Sequence, residues 1–260
     1  SFVGPLVYNT DPTYIDITAA NSPPSREHPF GTDNLGRDTL ARVMFGGRIS
    51  LSVGIYAMLV AITIGTLVGA LAGYFSRLDG PMMRITDIFL ALPLLPLFLV
   101  IVMLFRDSFS AAFGPEMVIF ILIVAVVGIL SWMTTARVVR AQTLSVKQRE
   151  FIVSATCVGA SQGRILCHYV FPNILSPVNV AAALGVAAAL LTASTLSFLG
   201  LGFPSDCPTG GRLLFYGKDY LQWTPWVVLW PGLFISLTVL SISFVGDGLR
   251  DALDPRIRKT

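Results

Sequence analysis

Charge is what this sequence has least of: 13% of its 260 residues are charged, against a hydrophobic fraction of 54%. An ordinary soluble domain carries about twice that share of charge, so the composition is that of an integral membrane protein. Histidine is nearly missing too. Only His28 and His168 occur, far apart, so neither an H-E-x-x-H zinc site nor a paired-histidine site can form, and no metal site is expected. No G-x-x-x-x-G-K-[ST] phosphate loop is present. Inside the apolar runs the one ionisable side chain is Asp87, near a run's end, which excludes the midplane carboxylates and histidines of ion-coupled transporters. Ser131 and Ser197 have no His or Lys partner at matching depth, so no catalytic nucleophile is expected. Three cysteines, Cys157, Cys167 and Cys207, are too few for a disulfide framework. A net charge of +3 gives no nucleic-acid signature, and no nucleic-acid partner is expected.

What the sequence does have is long apolar runs. A bilayer core needs roughly 20 apolar residues of helix, and the runs 49–75, 85–105, 117–136, 174–200 and 226–246 meet that length. Apolar residues fill every face of these runs rather than alternating, so the fold class is all-α and the barrel alternative fails. The lipid bilayer is thus the first partner. Of the 18 basic residues, eleven fall in 76–84, 137–173 and 247–260, which the positive-inside rule places in the cytoplasm together with the C-terminus. Trp223, Trp226 and Trp230 crowd the opposite edge of the last run and predict an interfacial aromatic belt there. Five spans put the ends on opposite sides, and an exported start at Ser1 with no visible signal leads us to expect a first helix missing from this sequence.

Residues 1–48 divide into an arm without periodicity and a short elbow helix. Thr32 or Asp33 is a candidate cap, Leu40, Val43 and Met44 share a face, and Asp38 is spaced to pair with Arg42. The elbow is expected to lie in the membrane interface. In the first span Gly65, Gly69 and Gly73 form two overlapping G-x-x-x-G units, a strip on which another helix should press, from this chain or from a partner. Pro93 and Pro96 interrupt the second span and Pro231 the last, predicting kinks.

The polar insert REFIVSATCVGASQGRILCHYVFPN at 149–173 separates two of the most apolar runs. Phe151, Ile152, Ala155 and Val158 give one short amphipathic helix, Gly159 a bend, and Ile165, Leu166, Tyr169 and Val170 a second helix stopped by Pro172. Two readings stand side by side: a helix pair docking into a groove of a cytoplasmic protein, or a segment lying on the inner leaflet through Lys147, Arg149 and Arg164.

The order S-A-x3-G-x12-P, from Ser154 and Ala155 through Gly159 to Pro172, resembles the E-A-A-x3-G-x9-I-x-L-P coupling loop of ATP-binding-cassette importer permeases. The spacing matches throughout, while Val153, Ser154, Tyr169 and Phe171 replace the Glu, first Ala, Ile and Leu. FGTDNLGRDTLARVMFGGRISLSVG (30–54), LSFLGLG (196–202) and GDGLRDALDPR (246–256) are similar to the second, C-type permease subunit of dipeptide, oligopeptide and nickel importers. PTGGRL at 208–213 departs from the family, which usually has a Trp before the second Gly.

The resemblance implies a type I importer permease bundle of six core spans, the first of them ahead of the arm. It implies three regions: an outer arm and elbow over 1–48, the permease domain over 49–247 with its coupling loop at 147–172, and a cytoplasmic tail over 248–260. It assigns ATPase coupling to Glu150, Phe151, Ser154, Ala155, Gly159, Ala160, Ile165, Tyr169 and Pro172. The implied partners are a B-type permease subunit, two cytoplasmic ATPase subunits that bind ATP and magnesium, and an external substrate-binding protein, in a bacterial inner membrane. Small peptides are the expected cargo; nickel chelates, glutathione-like ligands, and a passive channel or scaffold are the alternatives.

Overall fold

The computed structural model describes residue 4 and residues 8–113, 115–204 and 207–253. The expected tail beyond Leu253, with Arg256, Arg258 and Lys259, lies outside the described residues, as does the side chain of Arg106. Helices account for nearly all of the order: α1 (Thr39–Tyr74), α2 (Ser76–Ala91), α3 (Leu94–Phe113), α4 (Pro115–Lys147), α5 (Glu150–Cys157), α6 (Gln162–Ile165), α7 (Phe171–Phe198), α8 (Gly210–Gly217) and α9 (Trp226–Leu253). The one β feature among the described residues is an isolated bridge between Thr32 and Asp38.

Contacts along α1 fix the topology. Its residues 65, 69 and 73 meet the backbone carbonyls of Trp132, Ala136 and Arg140 in α4, each step of four matched by a step of four, so α1 and α4 run parallel. Parallel neighbours need a return path, and α2 with α3 supplies it. These two helices are bent by 85° at a short break and together count as one crossing, beside four unbroken spans in α1, α4, α6–α7 and α9. Helix α7 runs back against α1, its Val186 and Leu190 on Gly54 and its Val170, Ile174 and Val178 in one cluster with Ala70 and Tyr74. Helix α9 descends along α7, with Gly246 against Leu184. Five crossings result. One end of the bundle therefore collects the arm, α8 and the start of α9; the other collects α2, the end of α4, α5 and the end of α9. The basic segments 76–84, 137–173 and 247–253 all come to this second, loop end, as the charge asymmetry requires.

Several boundaries differ from the sequence expectation, each for a physical reason. The elbow is not a separate helix: residues 39–48 are the first turns of the 36-residue α1, with Leu40, Ala41, Arg42 and Val43 buried. The cap is Asp38, whose carboxylate accepts from the Ala41 N–H at 2.8 Å, rather than Thr32 or Asp33. Arg42 reaches Asp33 at 3.4 Å. The second expected span, 85–105, is not one helix. It begins nine residues earlier, at Ser76, and breaks at Leu92–Pro93, where Leu92 takes the extended conformation that proline favours in the residue before it. Helix α4 extends to Lys147, beyond the expected end at 136.

The arm is pinned rather than simply draped. The Phe30 ring stacks on Trp230 at 3.9 Å, and Trp226 donates its indole N–H to the Thr32 carbonyl at 3.2 Å. These two tryptophans hold the arm, while Trp223 is 79% exposed. Tyr8 donates to Asp38 at 2.8 Å, and His28 Nδ1 lies 2.8 Å from the same oxygen. Burial pushes the Tyr8 phenol above its ordinary value, and the bond to Asp38 acts in the same direction. Further out, the Thr18 hydroxyl and N–H hold the Asp16 carboxyl below the usual carboxylate range.

Candidate functional site

The site begins where α4 ends. Lys147 donates to the Tyr74 carbonyl at 2.7 Å, tying the end of α4 to the end of α1. Arg149 then turns to extended geometry and opens α5, with Glu150 exposed in its first turn, where a carboxylate suits the positive end of the helix dipole. Ile152 is the residue of α5 that enters the bundle, 4% exposed, in a cluster with Tyr74, Val146, Ile165, Val170 and Ile174.

Gly159 makes the bend. Its φ is +85°, a region open to glycine and strained for a side chain with a Cβ, while a Cβ built there would meet nothing within 4 Å. Its need is thus conformational, not steric. Ser161 then caps α6 through its hydroxyl and the Arg164 N–H at 3.4 Å.

The second helix is not stopped by Pro172. Helix α6, a π-helical stretch over Leu166–Val170, and α7 form one continuous path of 37 residues from Gln162 to Phe198. Proline in a helix lacks its N–H and crowds the carbonyl four residues back. Here the wider π turn precedes Pro172, which stands in the first turn of α7, so the missing donor costs little.

The assigned coupling residues divide into two groups. Glu150, Phe151, Ser154, Gly159, Tyr169 and Pro172 are exposed, and Ala155 and Ala160 are half-buried. Ile165 is different: at 2% exposure it is packed beside Ile152 and anchors the loop instead of presenting a surface. The apolar residues facing outward are Phe151, Val153 and above all Val158, which is 89% exposed at the tip. Phe151 and Tyr169 face each other with ring centroids 6.5 Å apart, joining α5 to the root of the second helix. The two amphipathic stripes read from the sequence thus have their inner edges in the bundle and their outer edges in the open. Val153, where the resemblance has a Glu, lies on the outer edge.

Behind the loop stands the glycine seam. A Cβ on Gly65 would come within 2.7 Å of both the Trp132 carbonyl and the Thr135 Cβ; on Gly69, within 2.7 Å of the Val139 Cβ; and on Gly73, within 2.7 Å of the Thr143 Cβ. Gly128 answers from α4, where a Cβ would meet the Ala57 carbonyl at 2.8 Å. The partner of the strip is therefore α4 of the same chain.

Sequence reasoning missed the first half of α2 and two ion pairs that bind the loop end together. Arg140 grips both oxygens of Asp79, and Arg137 Nη2 lies 2.5 Å from Asp87. The spacing of Asp79 and Asp87, eight residues apart on one helical stretch, was the available signal.

The comparisons with known proteins follow this architecture. Residues 50–259 match the family of the binding-protein-dependent transport system inner membrane component. The chain is 40% identical to a dipeptide transport system permease protein of Alkalihalophilus pseudofirmus, covering 96% of this chain and 79% of that one. It is also 40% identical to an oligopeptide transport system permease protein of Haemophilus influenzae, over 89% of this chain and 71% of the relative. A similar protein of Bacillus subtilis is 37% identical, covering 98% and 80%. Among solved structures, inward-facing forms of the MetNI methionine ABC transporter superpose with a TM-score of 0.65 at 16% identity, covering 82% of this chain and 96% of that one, a likeness of fold. The parallel seam, the five crossings and the helical insert between α4 and α7 thus have their place: the chain belongs to the inner-membrane components of binding-protein-dependent transport systems, as the permease subunit of an ATP-binding-cassette importer.

Proposed function

We propose that this permease forms half of a translocation pathway for small peptides and passes the motion of cytoplasmic ATPase subunits to its spans through residues 150–172. The observation that carries the coupling role is the pairing of a buried root, Ile152 and Ile165, with an exposed apolar tip at Phe151, Val153 and Val158. An apolar tip in water is unfavourable unless something covers it, and a short helix pair held at its root suits insertion into a groove. The root then transmits displacement to α4 and α7, because Ile152 and Ile165 share one cluster with Val146 and Ile174. In this reading Glu150, Ser154, Ala155, Ala160, Tyr169 and Pro172 shape the contact, and Gly159 sets its bend. ATP and magnesium act on the partner subunits; this chain converts their closure into movement.

The peptide cargo rests on the names of relatives at 40% identity. The family description, binding-protein-dependent transport, supports delivery by an external binding protein, here to the arm end, and a heterodimer with a B-type permease is part of this reading. The loop end, α2 and the end of α9 then face the cytoplasm, as the clustering of basic residues favours. Two measurements test this. In proteoliposomes carrying the assembled transporter, labelled di- and tripeptides are taken up with ATP, while nickel chelates and glutathione are not; the reverse selectivity would replace the cargo. In intact cells, cysteine placed at 212 is labelled from outside and at 164 is not; labelling at 164 alone would invert the topology, and leak without ATP would favour a passive channel.

A further inference from the structure

Helix α2 sorts its charges by partner. It carries Arg77, Asp79, Arg84 and Asp87. Both aspartates are paired with arginines of α4, Asp79 half-buried on Arg140 and Asp87 in the open on Arg137. Both arginines are exposed, and no ion pair is formed by either among the described residues. Seven residues apart, they stand on one face two helical turns from each other. Between them Gly80 is open, with nothing within 4 Å of a Cβ built on it. Toward the 85° bend that leads into the crossing by α3 come exposed Ile85 and Ile88, of which Ile88, one turn on from Arg84, continues the arginine face.

We propose that this face is a binding site for the headgroup of an anionic phospholipid at the loop end of the bundle. The occupant follows from the order of the stripe: two unpaired guanidiniums at the end of the bundle, then apolar side chains leading into the membrane. That order complements a phosphate-bearing headgroup followed by acyl chain. Guanidinium is the group suited to it, since its fork of donors matches two phosphate oxygens. Both aspartates are already neutralised by Arg137 and Arg140, which leaves Arg77 and Arg84 as two uncompensated positive charges, so the complementarity is not cancelled locally. The inference rests on the membrane crossings and is independent of the cargo and of the coupling role.

The test uses the assembled transporter, purified from membranes and exposed to equal amounts of phosphatidylglycerol and phosphatidylcholine, with native mass spectrometry counting the retained lipid. An arginine near a charged membrane surface contributes about fivefold in affinity. Arg77→Gln/Arg84→Gln should therefore lose most of the retained phosphatidylglycerol, by about tenfold or more, and Arg77→Lys/Arg84→Lys should keep much of it. Phosphatidylcholine retention should not change, and millimolar inorganic phosphate should not displace the lipid. Equal phosphatidylglycerol retention by wild type and the Gln pair would overturn the site. Displacement by free phosphate would make it a simple anion site, and loss of the partner permease with lipid retention unchanged would make the face a protein interface; either result overturns the proposal.

Discussion

Glycine serves two regions of this molecule in opposite ways. In the seam, Gly65, Gly69 and Gly73 have ordinary helical backbones and no room: a Cβ would strike α4. In the loop, Gly159 has unlimited room and an unusual backbone at φ +85°. The first set lets two helices approach, where dispersion and backbone contacts do the holding because lipid supplies little hydrophobic drive between helices. The second holds a bend whose outer face touches nothing else in the chain. A seam of the first kind makes a rigid body, and a bend of the second kind makes a handle on it.

Substitutions should separate the two regions. The largest effect is expected in the seam: Gly69→Leu forces a whole side chain against the Ala136 carbonyl and Val139, where backbone cannot yield, so its cost should exceed the roughly 2–5 kcal/mol of truncating a buried side chain. Detergent-solubilised protein should lose thermal stability and yield; unchanged melting would mean that the helices part easily there.

Next is the root of the handle. Ile152→Ala removes a buried side chain from the cluster around Ile174 and should cost about 2–5 kcal/mol, read as a lower melting temperature and as protease cleavage near 150–165. If it destabilises no more than a surface change, the loop is not rooted in the bundle.

At the other end, Asp38→Ala removes the cap of α1 together with the partner of His28 and Tyr8, an expected loss of about 1–3 kcal/mol. Faster proteolysis of the arm is the readout. The smallest stability effect belongs to the tip: Val158→Glu should stay within about 0.5 kcal/mol of wild type, yet reduce recovery of the ATPase subunits in a pull-down. Normal recovery would place the docking contact elsewhere.

Much of this was legible in sequence, and the misses have physical causes. Apolar runs longer than a bilayer identified all five crossings, but the second was placed from 85 instead of from Ser76, because Arg77, Asp79 and Arg84 make the first half of α2 read as a loop. Its two acids are satisfied by Arg137 and Arg140, some fifty to sixty residues away, and no local pattern reports such a partner. The elbow region was bounded at residue 48, yet α1 passes through Gly46 and Gly47 without a break, and Gly46 serves close approach to the Pro208 backbone. In the loop, periodicity marked the apolar positions correctly but could not say which edge of each stripe the bundle takes. Ile165, assigned to coupling, lies on the buried edge as a root, and Val158, one apolar position among four, is the exposed tip. The bend at Gly159 was legible because only glycine fits that backbone cheaply.

The most direct test of the account is the coupling ratio of Gly159→Val in the assembled transporter in proteoliposomes. A β-branched residue at φ +85° strains the bend by about 1–2 kcal/mol, while the open space around it leaves the bundle undisturbed. The expected result is normal insertion, normal pairing with the partner permease and an unchanged melting temperature of the spans, with peptide uptake per ATP hydrolysed reduced severalfold or the ATPase subunits released. Arg164→Ala should be milder on every measure. Wild-type uptake per ATP in Gly159→Val, with membrane association lost in Arg164→Ala, would contradict the account and make residues 150–172 a lipid-surface anchor.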